Sequence, residues 1–121
     1  MILGLRTAIY PTPELADGKA WYSEVLGAPP YYDQPWYVGF SVGGFELGLI
    51  PDGRPGALGS QVYWGVPDLD SELARLVRLG AKLNEPAREV GDGIKVGSVL
   101  DPFGNVFYLI QNPHFDPRTV N

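Results

Sequence analysis

Four tyrosines, Tyr10, Tyr37, Tyr63 and Tyr108, fall on the mixed, polar side of four β-rich runs, with Trp36 at a neighbouring strand edge. Rings of this kind make apolar walls with polar tips, which suits a pocket for a flat organic molecule. Core packing and subunit contacts draw on the same residue types. Other chemistry is scarce. The chain has no Cys, which removes disulfides, zinc–thiolate sites and thiol nucleophiles together. Its one histidine, His114, lies in the tail, where it would have to fold back to complete a Ser-His-Asp set. Gly56-Ala57-Leu58-Gly59 and the other glycine pairs form no phosphate loop, because none leads into a helix carrying Lys-Ser/Thr. Asp92 and Lys95, beside a glycine-rich turn, read as solvated.

Charge narrows the partners. Acidic residues number 14 against 9 basic ones, giving a net charge of -5. Nucleic acid is not an expected partner, because phosphate binding needs a basic patch and the arginines are scattered. Only Arg75 and Arg78 lie close together, at the spacing of a solvated helix face. Hydrophobic residues make up 45% of 121 residues, enough for one globular domain. Met1 to Tyr10 lacks the charged start of a signal peptide, and no apolar run approaches the roughly 20 residues of a membrane helix. A cytoplasmic protein with no membrane partner is expected.

These residues need elements to place them. Ile2 to Tyr10 reads as a strand. Thr12 can cap a first helix with Pro13 at its first position, and Leu15, Trp21, Tyr22, Val25 and Leu26 form its apolar stripe up to Gly27. Tyr31 to Asp33, Trp36 to Val42 and Phe45 to Ile50 read as strands, the last two joined by a Gly43-Gly44 hairpin. After a linker over 52–59 the order recurs. Gln61 to Val66 is a strand, and Pro67-Asp68 begins a second helix striped by Leu69, Leu73, Leu76 and Val77 and closed by Gly80. Short strands follow around Lys82 to Leu83, Ala87 to Val90, Ile94 to Leu100 and Asn105 to Ile110. The tail covers 112–121.

The expected fold is therefore α+β, with two βαβββ modules over about 1–51 and 60–111 forming a curved mixed-sheet cup, helices on the outer face. Alternation assigns Leu3, Leu5 and Ile9, then Phe45, Leu47 and Leu49, then Val62, Trp64 and Val66 to the helix-packed side. Gly4, Arg6, Ala8 and Tyr10, with Glu46, Gln61 and Tyr63, then face the cup.

That double order resembles the vicinal oxygen chelate superfamily of glyoxalases, bleomycin-resistance proteins and extradiol dioxygenases. Three stretches carry the likeness. Ala20-Trp21-Tyr22-Ser23-Glu24-Val25-Leu26-Gly27 resembles its first-helix ending, Leu76-Val77-Arg78-Leu79-Gly80-Ala81 its second, and Asp101-Pro102-Phe103-Gly104-Asn105 the turn before its last strand. Carried over strand by strand, the resemblance puts Arg6, Glu46, Gln61 and Tyr108 where metal-using members hold their ligands. Only Glu46 and Gln61 are ligand types, since guanidinium offers no lone pair and a phenol near pKa 10 resists ionisation. One carboxylate and one amide fall short of the three or four donors a divalent ion needs. No metal and no cofactor are expected.

By that resemblance Arg6 stands in the cation's place beside Glu46 and Tyr108. The implied function is metal-independent binding of a small aromatic or amphiphilic molecule by Arg6, Tyr10, Tyr37, Glu46, Gln61, Tyr63 and Tyr108, in a homodimer. The alternative is a lyase, isomerase or dioxygenase of the same superfamily. In its metal-free form Glu46 is the catalytic base and Arg6 or Tyr63 stabilises the oxyanion.

Overall fold

The computed structural model describes residues 1–56, 58–116 and 118. The elements follow the double order: β1 (Gly4–Pro11), α1 (Leu15–Leu26), β2 (Tyr32–Gln34), β3 (Tyr37–Val42), β4 (Phe45–Ile50), then β5 (Gln61–Gly65), α2 (Leu69–Arg78), β6 (Lys82–Gly91), β7 (Ile94–Leu100) and β8 (Val106–Gln111). The α+β class and both βαβββ modules are thus present. The chain divides into two compact units. One comprises Thr7–Gln61 with Asp116 and Arg118; the other joins Met1–Arg6 to Val62–Phe115.

In the first unit β2, β3 and β4 run antiparallel, and β1 joins β4 in parallel, with Thr7 opposite Glu46 and Tyr10 opposite Leu49. Gly43 and Gly44 turn β3 into β4 with φ of 59° and 90°, the left-handed pair that matches strand twist. Val38, Phe40 and Leu49 form the core, covered by Leu15, Tyr22 and Leu26 of α1. Trp21 and Val25, expected on that stripe, are exposed, because a helix buries one face and theirs is turned away. The helix also starts later than expected. Glu14 occupies the cap position, and the Thr12 hydroxyl donates instead to the Tyr10 carbonyl at 3.1 Å. Gly27 closes α1 in the left-handed conformation, as expected.

In the second unit β5 and β8 are parallel, with Tyr63 opposite Tyr108, and β8, β7 and β6 continue antiparallel. Val66, Leu69, Leu73, Val99 and Leu109 form its core, with Trp64 and Leu76 packed against it. Lys82 to Val90, expected as two short strands, is one strand. Bulges between Leu83 and Arg88 absorb Pro86, which an edge strand tolerates. The Asp101 carboxylate caps the next turn, accepting from the amides of Phe103 at 2.8 Å and Asn105 at 2.9 Å. Leu3, Leu5 and Val62, expected in the helix-packed core, are exposed at 48%, 48% and 44%. α1 lies on β3 and β4 and meets β1 through Tyr22 and Tyr10, and α2 lies on β6, β7 and β8.

Asp68 caps α2, its carboxylate accepting from the Ser71 amide at 3.4 Å. Asp68→Ala leaves a donor of the first turn unpaired and should cost about 1 kcal/mol, read as a lower urea midpoint. Among the described residues no helix is long and apolar enough to cross a membrane.

Candidate functional site

The alternation of β3 and β4 builds one cluster. Val38, Phe40, Leu47 and Leu49 turn to α1, so Tyr37, Gly39, Glu46 and Gly48 share the opposite face. There the Glu46 carboxylate accepts hydrogen bonds from two phenols, Tyr31 on one oxygen and Tyr37 on the other. Two glycines make this possible. A Cβ on Gly48 would lie 2.0 Å from the Tyr37 hydroxyl, and one on Gly39 would lie 3.2 Å from the Tyr37 ring and 3.3 Å from the Tyr31 ring. Tyr37 also meets Tyr32 edge-on, at 6.1 Å between ring centres. Burial pushes the Glu46 carboxyl up to about 7. Both oxygens are satisfied, and the group switches charge near neutral pH.

The other expected site residues lie apart from this cluster or in the second unit. The register partner of Glu46 on β1 is Thr7, and Arg6 precedes it on the other face of that strand. The Arg6 guanidinium instead sits 3.7 Å from the centre of the Phe115 ring. Arg6 and Glu46 each find their partners within their own unit. Tyr10, expected in the cup, leans on Tyr22 of α1 at 6.3 Å. Its register partner is the buried Leu49, which fixes Tyr10 on the helix-packed face. Tyr63 and Tyr108 pack ring to ring at 5.0 Å. Burial, then neighbouring Tyr108 and Glu85, pushes the Tyr63 phenol to about 12, and burial also raises Tyr108. Both stay neutral donors. Gln61 lines an open groove of about 580 Å³ with Pro11, Ile50, Asp52, Arg54 and Leu58.

Tyr31, Gly39 and Gly48 escaped sequence reasoning. The two glycines face each other across β3 and β4, so two small residues on neighbouring strands were the available signal. These residues do not fit the divalent metal that the superfamily resemblance implies for some members. Among the described residues no three His, Cys, Asp or Glu side chains come together. Glu46 is the one carboxylate of its cluster among the described residues, and Tyr63 and Tyr108 resist ionisation.

A family model described as a glyoxalase-like domain matches residues 7–110. No curated protein sequence matches the chain. Among solved structures, methylmalonyl-CoA epimerase from Mycobacterium tuberculosis is 20% identical, covering 97% of this chain and 91% of that one, with a TM-score of 0.71. A point variant of Streptomyces coelicolor methylmalonyl-CoA epimerase, in complex with 2-nitronate-propionyl-CoA, is 15% identical over 96% and 99%, at 0.73. A glyoxalase/bleomycin resistance protein/dioxygenase superfamily member from Vibrio splendidus 12B01 is 20% identical over 89% and 99%, at 0.67. At these identities the structural likenesses speak for the fold alone. The family match spans most of the chain: this protein belongs to the glyoxalase-like family of the vicinal oxygen chelate superfamily.

Proposed function

We propose that the protein binds a small aromatic or amphiphilic molecule without a metal, with Glu46 as the polar anchor. The observation that carries this reading is the Glu46 carboxyl held between Tyr31 and Tyr37 and pushed up to about 7. Tyr31 and Tyr32 stay exposed beside it, so ring surface meets solvent next to a half-buried carboxyl, and Trp36 is exposed in the turn before β3. A ligand with an aromatic ring and a basic nitrogen matches both parts: the ring stacks on tyrosine, and the cation pairs with the ionised carboxylate. Exposed Leu3, Leu5 and Val62 support the homodimer as part of this reading.

Thermal denaturation at pH 8 with phenethylamine and with phenethyl alcohol tests the anchor. The amine should raise Tm and the alcohol should have little effect, and Glu46→Gln should abolish the difference. Equal shifts in both proteins, or none from any aromatic amine, would sink the proposal.

One observation favours a second reading as a metal-free enzyme. A carboxyl that titrates near 7 is matched to take a proton from the carbon beside a carbonyl at neutral pH. Two of the structural neighbours are epimerases. Methylmalonyl-CoA incubated in deuterated water separates the readings. Exchange of the α-proton that stops in Glu46→Gln supports an isomerase; no exchange leaves the binding reading alone.

A further inference from the structure

The second unit holds a small cavity of about 80 Å³ between the start of β1, the ends of β5 and β8, and the segment after β8. Leu3, Val66 and Ile110 supply apolar wall; Arg6 and Asn112 supply the polar side chains. The Arg6 guanidinium is pressed between the Gly65 backbone and the Phe115 ring. A Cβ on Gly65 would lie 2.7 Å from its Nε, and the Phe115 ring centre lies 3.7 Å from its Cζ. Of its donors, one nitrogen reaches the Leu5 carbonyl at 3.1 Å, and among the described residues Arg6 has no carboxylate partner. Asn112 is similar. Its Oδ1 accepts from the His114 amide at 2.9 Å, which leaves the amide NH₂ as the end with donors to spare. His114 fixes this segment, its Nε2 lying 2.7 Å from the Asp92 carbonyl oxygen in the β6–β7 turn.

The Arg6 guanidinium, flattened against a glycine beside a second donor and without a carboxylate partner among the described residues, offers a charged donor edge to an anion. We propose that Arg6, Asn112 and Phe115 form a pocket for a carboxylate group. The planar guanidinium edge matches a carboxylate's two oxygens, and Phe115 holds that edge by stacking on the guanidinium face. The volume sets the size limit. At about 80 Å³ the cavity suits a carboxylate with a short stem better than a ring. This site rests on side chains of the second unit and does not depend on Glu46.

Isothermal titration with sodium acetate at fixed ionic strength tests it, with sodium benzoate and inorganic phosphate as comparisons. Saturable one-to-one acetate binding is expected, with benzoate and phosphate at least tenfold weaker. Arg6→Gln should weaken acetate at least tenfold, and Phe115→Leu several-fold. Gly65→Ala keeps the arginine but displaces it, so it should also lose acetate and stands in if Arg6→Gln does not fold. Absence of saturable acetate binding, undiminished binding in the folded variants, or phosphate binding tighter than acetate overturns the proposal.

Discussion

Replacing Glu46 by Gln is expected to flatten the dependence of folding stability on pH between about 4.5 and 7. The carboxyl keeps its proton in the folded chain up to about 7, while the unfolded chain releases it near 4.5. Between these values the folded state binds more protons, so stability falls as pH rises and levels off above 7. Below 4.5 both states are protonated and the wild type holds its full stability. A displacement of this size corresponds to about 3 kcal/mol, with some lost to solvent screening because the residue is not fully buried. Gln is nearly isosteric and carries no titrating proton. Urea unfolding at pH 4.5, 6 and 8 should show the wild-type midpoint dropping and the variant midpoint staying level. Parallel curves would mean that Glu46 ionises as freely folded as unfolded.

Leu109→Ala should destabilise the protein by about 3–5 kcal/mol. Leu109 is fully buried among Val66, Leu69, Leu73 and Val99, where α2 closes over β7 and β8. Truncation loses the transfer energy of the leucine side chain and leaves a cavity that strands on one side and a helix on the other cannot fill. Val77 lies in the same helix with 45% of its surface exposed, and Val77→Ala should change stability by less than about 1 kcal/mol. Chemical denaturation of the pair makes the comparison internal. Equal losses would mean that the core lies elsewhere.

The repeat was legible because its signals are local. Gly27 ends α1, Gly43-Gly44 turns β3 into β4, and the stretch from Asp101 to Asn105 closes on the Asp101 carboxylate, each by chemistry within a few residues. Faces were harder. On β4 the contrast between Leu47 and Leu49 and Glu46 and Gly48 read correctly. On β1 the alternation of Leu3, Leu5 and Ile9 suggested a covered side, yet Tyr10, opposite the buried Leu49 and against Tyr22 of α1, marks the other side of that strand as the helix-packed one. The same error placed Tyr10 in the cup. Glu46 was recognisable through the family resemblance, but its partners were not. Tyr31 is fifteen positions away, and only the glycines that let the rings approach connect them. Arg6 was noticed for its charge. Its contact with Phe115 depends on a fold-back of the tail that Pro113 and His114 do not announce.

Titration of the Glu46 carboxyl by carbon-13 NMR measures the group on which the functional reading turns, with the resonance identified by its loss in Glu46→Gln. The midpoint should fall near 7, and Tyr31→Phe with Tyr37→Phe should move it higher, since the phenols donate to the charged form. A midpoint at the ordinary carboxylate value, unmoved by removing both hydroxyls, would contradict a carboxyl clasped by Tyr31 and Tyr37 and held ready at neutral pH.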